Sequence, residues 1–267
     1  MALWSNKKEF IFKAVEAMYT DVASRPDTVF HFPTGRSACV FVGYPADRLD
    51  GLPAEATESF AGVGYPFAAD VIRPADAVLD IGSGSGTDAL IAAMVTGESG
   101  VVYGLDMTRA MREKLQRIVT ACQIGHVRVL EGNAEQIPLP DASIDVVTSN
   151  GVLNLVPDKP AAFGEIARVL KPGGRLQIAD IALRVPVSDQ SRADPRLWAE
   201  CVVGAITEDD YLTLLRAAGL SAAPARSQRI VQGWRHVGLH DCQERLPVGN
   251  EQVAEGFHGC QDDAQQR

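Results

Sequence analysis

"VLDIGSGSGTD", residues 78–88, is the stretch whose reading decides the fold. A short apolar run broken by one acid, Asp80, passes straight into Gly82, Gly84 and Gly86 and then into a segment of helical periodicity. A strand that turns on glycines into a helix is the opening unit of a parallel sheet with crossover helices. Glycines at alternate positions let the backbone bend and approach a ligand without interference from Cβ, while the helix that follows offers free N–H groups. The segment is therefore predicted to cradle a small ligand. A dinucleotide fingerprint needs G-x-G-x-x-G, but here the last glycine comes one residue early and Thr87 takes its place. NAD and FAD are disfavoured.

Working outward, apolar runs of strand length alternate with helix-period stretches from about 77 to 220, which predicts an α/β domain. The strands are expected at 77–81, 101–106, 127–131, 144–149 and 175–181. Helices are expected at 87–96, 109–122, 160–170 and 208–218. Pro160 suits a first helical turn, and "KPGG" at 171–174 is expected to stop that helix. Residues 6–23 read as an amphipathic helix with Phe10, Ile11, Ala14, Val15 and Met18 on one stripe. Residues 25–66 read as an irregular cap rich in Pro, Gly and aromatics, and beyond 220 the periodicity fades into a polar tail expected to pack loosely. The domain expectation is thus a helix and cap over 1–70, a ligand-binding domain over 71–220 and an extension over 221–267.

The bulk numbers narrow the function classes. A chain of 267 residues with net charge −9 and a pI near 5.1 is a poor binder of polyanions, so no nucleic-acid partner is expected. No window reaches the roughly 18 apolar residues of a membrane span, and "MALWSNKKEFIFKAVEAMY" lacks the unbroken apolar core of a secretion signal. A soluble, cytoplasmic protein with reduced thiols is expected, because five cysteines without a C-x-x-C pair support no disulfide framework or zinc ribbon. His236, His240, Cys242, His258 and Cys260 cluster in the tail, but their spacing fits no closed zinc pattern and no metal site is expected.

The polar residues at the strand ends say more about the ligand. Asp80 suits a cationic group better than a pyrophosphate, whose charge it would repel. Asp106, ending "VVYGLD", can accept two hydrogen bonds from a ribose diol, and Asn133 in "EGNAEQIPLP" can read an adenine edge. In order, G-x-G-x-G after V-L-D, the acidic end of the second strand, "GNAE", "IDVVTSN" and "RVLKPGGRL" resemble class I S-adenosylmethionine-dependent methyltransferases. The resemblance implies a Rossmann-like sheet, mostly parallel, with helices on both faces. It implies S-adenosylmethionine as cofactor, bound by Asp80, Gly82, Ser83, Gly84, Gly86, Asp88, Asp106, Met107, Asn133, Ala134, Glu135 and Asn150.

"GSGSGTD", "LDMT" at 105–108, "SNGVLNLVPDK" at 149–159, "WAECVVGA" at 198–205 and "SFAGVGYPF" at 59–67 resemble the arsenite methyltransferase family more narrowly. That family holds trivalent arsenic on cysteine thiolates, and the resemblance puts Cys201 in its expected motif, whereas Gly151 and Val63 stand where the family carries cysteine. Cys39 is the other thiol considered. "FHFPTGR" at 30–36 is read as a lid or as core cover, with His31 and Tyr65 as candidates for shaping the pocket and, with Cys201, as catalytic residues. Asn150 and Asn154 are divided between turn chemistry and a ligand role, and Asp158 with Lys159 is read as a solvated charge pair. Three functions stay open: methyl transfer to arsenic or another soft centre, transfer to an organic metabolite, or a nucleoside-binding module without catalysis. The partner in the first two is a small-molecule acceptor, and the oligomeric state is not determined by the sequence.

Overall fold

A computed structural model of the chain describes residues 2–186, 188, 194–199, 203–221, 226–231 and 234–242. Cys201, His258 and Cys260 lie outside the described residues. The sheet strands are β1 (Ala77–Ile81), β2 (Val101–Asp106), β3 (Val127–Glu131), β4 (Ile144–Asn150), β5 (Leu170–Leu183), β6 (Ile206–Thr207), β7 (Arg226–Val231) and β8 (Trp234–Cys242). Their spatial order is β3-β2-β1-β4-β5-β8-β7, with β6 paired to β5. β1 to β6 pair in parallel, and β8 and β7 close one edge antiparallel. Chain order reverses between β1 and β4, and a crevice opens at such a switch point beyond the carboxyl ends of the strands.

β1 begins one side of that crevice because Val78, Leu79 and Ile81 are buried on both faces of the sheet. Val78, Val102, Val127 and Val146 pack with α5 (Thr87–Thr96) and α6 (Arg109–Ala121) on one face. Leu79, Ile81, Leu105 and Val147 pack on the other face with α7 (Lys159–Val169) and with a helix near the C-terminal end of the domain, Glu208–Ala217. Adjacent residues of a strand thus serve opposite layers, which is why the strands read as unbroken apolar runs. Among the described residues no helix is long and apolar enough to cross a membrane.

The strands and helices expected within 71–220 fall within a residue or two of their predicted bounds except at the fourth crossover. "KPGG" does not form a loop: α7 stops at Val169 and β5 starts at Leu170, with a register shift between the Ile144 and Val146 pairings. The four residues are absorbed as an irregularity of the strand, where the missing N–H of a proline and the φ of +76° at Gly173 are tolerated. The cap is also more regular than its composition suggests. It holds α2 (Gly35–Phe41), α3 (Ala46–Asp50) and α4 (Ala54–Glu58), packed through Cys39, Tyr44, Leu49 and Phe60 onto Ile91 of α5. Helices of five to seven residues are too short to leave a periodicity. The extension beyond 220 supplies β7 and β8, and residues 243–267 of the tail expected to pack loosely lie outside the described residues.

α1 (Ala2–Ser24) is the predicted amphipathic helix, but its stripe is shifted: Ile11 and Val15 are buried, while Phe10 is 61% exposed. Ile11 and Val15 join Leu155, Trp198, Ala199 and Val203, so α1 lies across the top of the domain against α8 (Pro195–Ala199). The helix at Glu208–Ala217 is therefore α9.

Candidate active site

The crevice at the switch point is a cavity floored by the glycine loop and walled by the ends of β1, β2 and β4. α1 roofs it with Phe12, Val15 and Tyr19, and Phe60, Leu155 and Val156 extend the apolar side. The loop is held over β2: Gly82 and Ser83 both donate to the carbonyl of Leu105, at 2.7 and 3.0 Å. Gly82 has φ +73°, and a Cβ there would overlap the side chain of Val152. No other residue allows the β4 turn to close on the loop.

Three carboxylates, Asp80, Asp88 and Asp106, are buried around this floor. Asp106 accepts from the N–H of Gly84 at 2.9 Å and of Thr108 at 2.7 Å, which fixes the loop to the end of β2 and leaves further lone pairs toward the cavity. Burial raises its pKa, and those two N–H groups work against the rise. Asp88 accepts from the hydroxyl of Tyr44 and, at 3.0 Å, from Nδ2 of Asn150. Burial pushes the Asp88 carboxyl up to about 6 despite these bonds. Asp80 is held well above the usual carboxylate range by burial and by the charges of Asp88 and Asp106. One oxygen of Asp80, Oδ2, has no hydrogen-bond partner, and neither has Oγ of Ser83. Buried polar atoms without partners are uncommon, and two on one cavity floor mark where a ligand supplies the missing bonds.

The arrangement fits an S-adenosylmethionine cofactor. An ammonium and a sulfonium suit three carboxylates, a diol suits the end of β2, and a flat apolar base suits the side lined by Met107, Met111 and Ala134. Asn133 also lines the cavity, with its Oδ1 engaged by the N–H of Glu135 at 2.9 Å, so its amide N–H groups are what it offers.

Other expected site residues are placed elsewhere. Glu135 does not line the cavity. It pairs with Lys8 of α1 and accepts from the N–H of Asp158 at 2.9 Å, tying the roof to the wall. Asn150 lines the cavity, yet its amide is engaged within the protein: Oδ1 accepts from Val63 and Gly64, and Nδ2 faces Gly64 O, Tyr44 and Asp88. His31 is exposed, edge-on to Phe32, and outside the lining. Tyr65 packs against Tyr44 and Phe67 away from the lining, since Tyr44 stands between it and the floor. Cys201, the third catalytic candidate, lies outside the described residues.

Cys39 is fully buried in the cap with its thiol pushed up to about 12 by burial and by Asp88, so it is neither a thiolate nor part of the lining. Lys159 is not solvated: it is 5% exposed and donates to the carbonyls of Asn154 and Val156 at 3.1 and 2.9 Å. Asp158 caps α7, accepting from the N–H of Ala161. Among the described residues no three His, Cys, Asp or Glu side chains form a metal-holding group.

Sequence reasoning missed Tyr44 and the roofing role of α1. Tyr44 carries no motif, but the apolar stripe of α1 was a signal that something had to lie beneath it.

Comparison with known proteins agrees with this geometry. Residues 72–219 match a family profile described as a methyltransferase domain. An arsenite methyltransferase of Halobacterium salinarum is 38% identical over 181 residues, 68% of this chain and 46% of its own length. The arsenite methyltransferase of Homo sapiens is 34% identical over 151 residues, 53% of this chain and 40% of its own. The chain therefore spans less than half the length of these curated relatives. The crystal structure of an arsenic(III) S-adenosylmethionine methyltransferase from Chlamydomonas reinhardtii superposes with a TM-score of 0.63 at 31% identity, covering 73% of each chain. With the switch-point cavity, its three carboxylates and these matches in agreement, the chain belongs to the class I S-adenosylmethionine-dependent methyltransferases.

Proposed function

We propose that this chain transfers a methyl group from S-adenosylmethionine to a soft nucleophile, trivalent arsenic or the sulfur or selenium of a thiol or selenol. The observation that carries the reading is the division of the cavity: buried carboxylates with an unpartnered Asp80 oxygen at one end, an aromatic and aliphatic wall at the other. Asp80 and Ser83 would hold the amino-acid end of the cofactor, Asp106 the ribose, and Asn133 with Ala134 the adenine. Bound there, the cofactor supplies an electrophilic methyl group on a sulfonium.

The protein's own task is alignment and exclusion of water. α1 closes the cavity through Phe12, Val15 and Tyr19, and the turn at 151–156 lines its mouth. Among the described lining residues the titratable groups are Asp80, Asp88, Asp106 and Tyr19, and the three acids belong to the cofactor end. An acceptor that needs no base, such as a thiolate or a lone pair on arsenic, suits such a wall. The names of the relatives from Halobacterium and Chlamydomonas support arsenic as the soft centre. The expected setting is a reducing cytoplasm, and a small molecule is the expected partner.

A second reading, transfer to an organic metabolite, is favoured by the aromatic roof and by Val63 and Gly151, which bring no thiol to the mouth. Single-turnover transfer from labelled S-adenosylmethionine to arsenite with excess glutathione separates the two. Labelled methylarsenicals support the first reading. Label in an organic fraction instead supports the second, and binding of cofactor without any transfer would leave a nucleoside-binding module.

A further inference from the structure

The inner face of α1 is one continuous stripe. Lys8, Phe12, Val15, Tyr19 and Val22 follow one another in steps of four, three, four and three residues, so they share one side of the helix. Phe12, Val15 and Tyr19 are the roof of the cavity, and Val22 is fully buried. Lys8 is the charged member of this stripe, at a position where an amphipathic helix would place an apolar residue.

The two ends of the stripe are fastened differently. At the C-terminal end the carbonyl of Val22 accepts from Oγ of Ser59 at 3.2 Å, and that oxygen accepts in turn from Nζ of Lys114 at 3.0 Å. All three residues are buried. At the other end Lys8 pairs with Oε2 of Glu135 and lies 3.6 Å from Oδ2 of Asp158, where the side chains of Lys8 and Asp158 are 33% and 48% exposed. Three segments meet at Glu135: its Oε1 accepts from the N–H of Asp158 at the start of α7, and its own N–H donates to Oδ1 of Asn133 at 2.9 Å. Asn133 and Ala134 line the cavity, so the partner of Lys8 belongs to the same turn as the adenine wall. An ion pair is a weaker choice for stability here than an apolar contact, because both groups must shed water, but it can part and re-form in contact with solvent.

We propose that Lys8 is a positioning residue that clips the roof helix over the cofactor: through Glu135 and Asp158 it holds the N-terminal half of α1 down on the turn 133–135, and the cofactor enters and leaves when this clip parts and α1 swings about its anchor at Val22. The inference rests on the adenine lying at Asn133 and Ala134, as proposed above. The clip closes the cavity whether or not it is filled, so it slows entry and exit alike and changes affinity little. Loss of a merely structural contact would speed exit alone.

The test follows S-adenosylhomocysteine binding to the full chain by stopped flow. Lys8→Met, which keeps the apolar stem, is expected to raise the association and dissociation rates each at least about fivefold while Kd changes less than about twofold. Asp158→Asn, which can still cap α7, is expected to give a smaller rise in both rates. Lys8→Arg should keep exchange slow. In the unchanged chain, raising salt from about 0.05 to 0.5 M should speed both rates, and in Lys8→Met it should do so far less. Faster dissociation with unchanged association in Lys8→Met, rates equal to those of the unchanged chain, or rates in the unchanged chain that ignore salt would each overturn the clip. Failure of the unchanged chain to bind S-adenosylhomocysteine would instead overturn the cofactor reading, and the clip with it.

Discussion

Gly151 and Val63 stand side by side: a Cβ built on Gly151 would lie 3.3 Å from Cγ1 of Val63. The two positions where the resembling family carries cysteine therefore meet, Gly151 in the cavity lining on β4's exit and Val63, outside that lining, on the loop held by Asn150. Gly151 has φ +70°, so Gly151→Ala should cost about 1–2 kcal/mol from the backbone alone. Part of any further loss is the contact with Val63, and adding Val63→Ala should return roughly 0.5–1 kcal/mol. Urea unfolding of both single variants and the double one measures the coupling. Strict additivity would show that the two side chains do not share space. Val63→Cys, close in volume, should fold normally and raise arsenite-dependent turnover severalfold, and an unchanged rate would count against arsenic at this mouth.

Asp80 separates binding from stability. Its buried Oδ2 has no partner, and burial with the charges of Asp88 and Asp106 holds its carboxyl well above the usual range, so ionising it to serve a cationic ligand opposes folding. Asp80→Asn should raise the urea midpoint and weaken S-adenosylhomocysteine binding at least about tenfold, which is 1.4 kcal/mol or more. The two changes must have opposite signs. A variant that binds normally would remove Asp80 from the ligand's partners.

The parallel sheet was legible in the sequence because buried strands and crossover helices write long apolar signatures, and the glycine loop with Asp80 and Asp106 marked the crevice. The interior hydrogen-bond partners were not legible. Nothing local distinguishes Asn150, whose amide is engaged by the 62–64 loop, from an asparagine waiting for a ligand. Lys159 beside Asp158 looks like a surface pair until Asn154 and Val156 turn their carbonyls toward it. Tyr44 reaches Asp88 across 44 residues of chain, and such contacts depend on how short helices pack rather than on any run of residues. Phe10 failed for a geometric reason: the roof contacts fall on Ile11 and Val15, a rotation of α1 that periodicity alone does not fix.

Stability should fall as pH rises through 6. Asp88 and Asp180 are both buried, and burial lifts each carboxyl from 3.8 to about 6 in the folded chain. A raised carboxyl pKa means that the folded state holds its proton more tightly than the unfolded state. The contribution is therefore fully present below the unfolded value near 3.8 and lost as pH passes the folded value near 6. For one such group the total swing is roughly 3 kcal/mol at most. Asp145 and Glu165 shift the other way, and their contribution is lost only in more acid solution. The urea midpoint should therefore be higher at pH 5.5 than at pH 7.5, and Asp88→Asn should reduce that difference. A midpoint that rises with pH over this range would contradict the assignment.

Lys159 should control the acceptor wall without touching the cofactor end. Its ammonium donates to the carbonyls of Asn154 and Val156, closing the turn Leu153–Leu155 that presents Leu155 and Val156 to the cavity. It also lies 5.6 Å from the Trp198 ring centroid, beneath the helix that α1 packs on. Lys159→Met keeps the apolar stem and removes the donors, leaving two carbonyls short of a partner at about 1–3 kcal/mol in total. The loosened turn should raise the acceptor KM severalfold while S-adenosylhomocysteine binding changes less than about twofold. Lys159→Arg, which can still donate to both carbonyls, should recover part of the loss. Equal weakening of cofactor and acceptor binding would mean that the turn acts on the whole cavity rather than on its mouth.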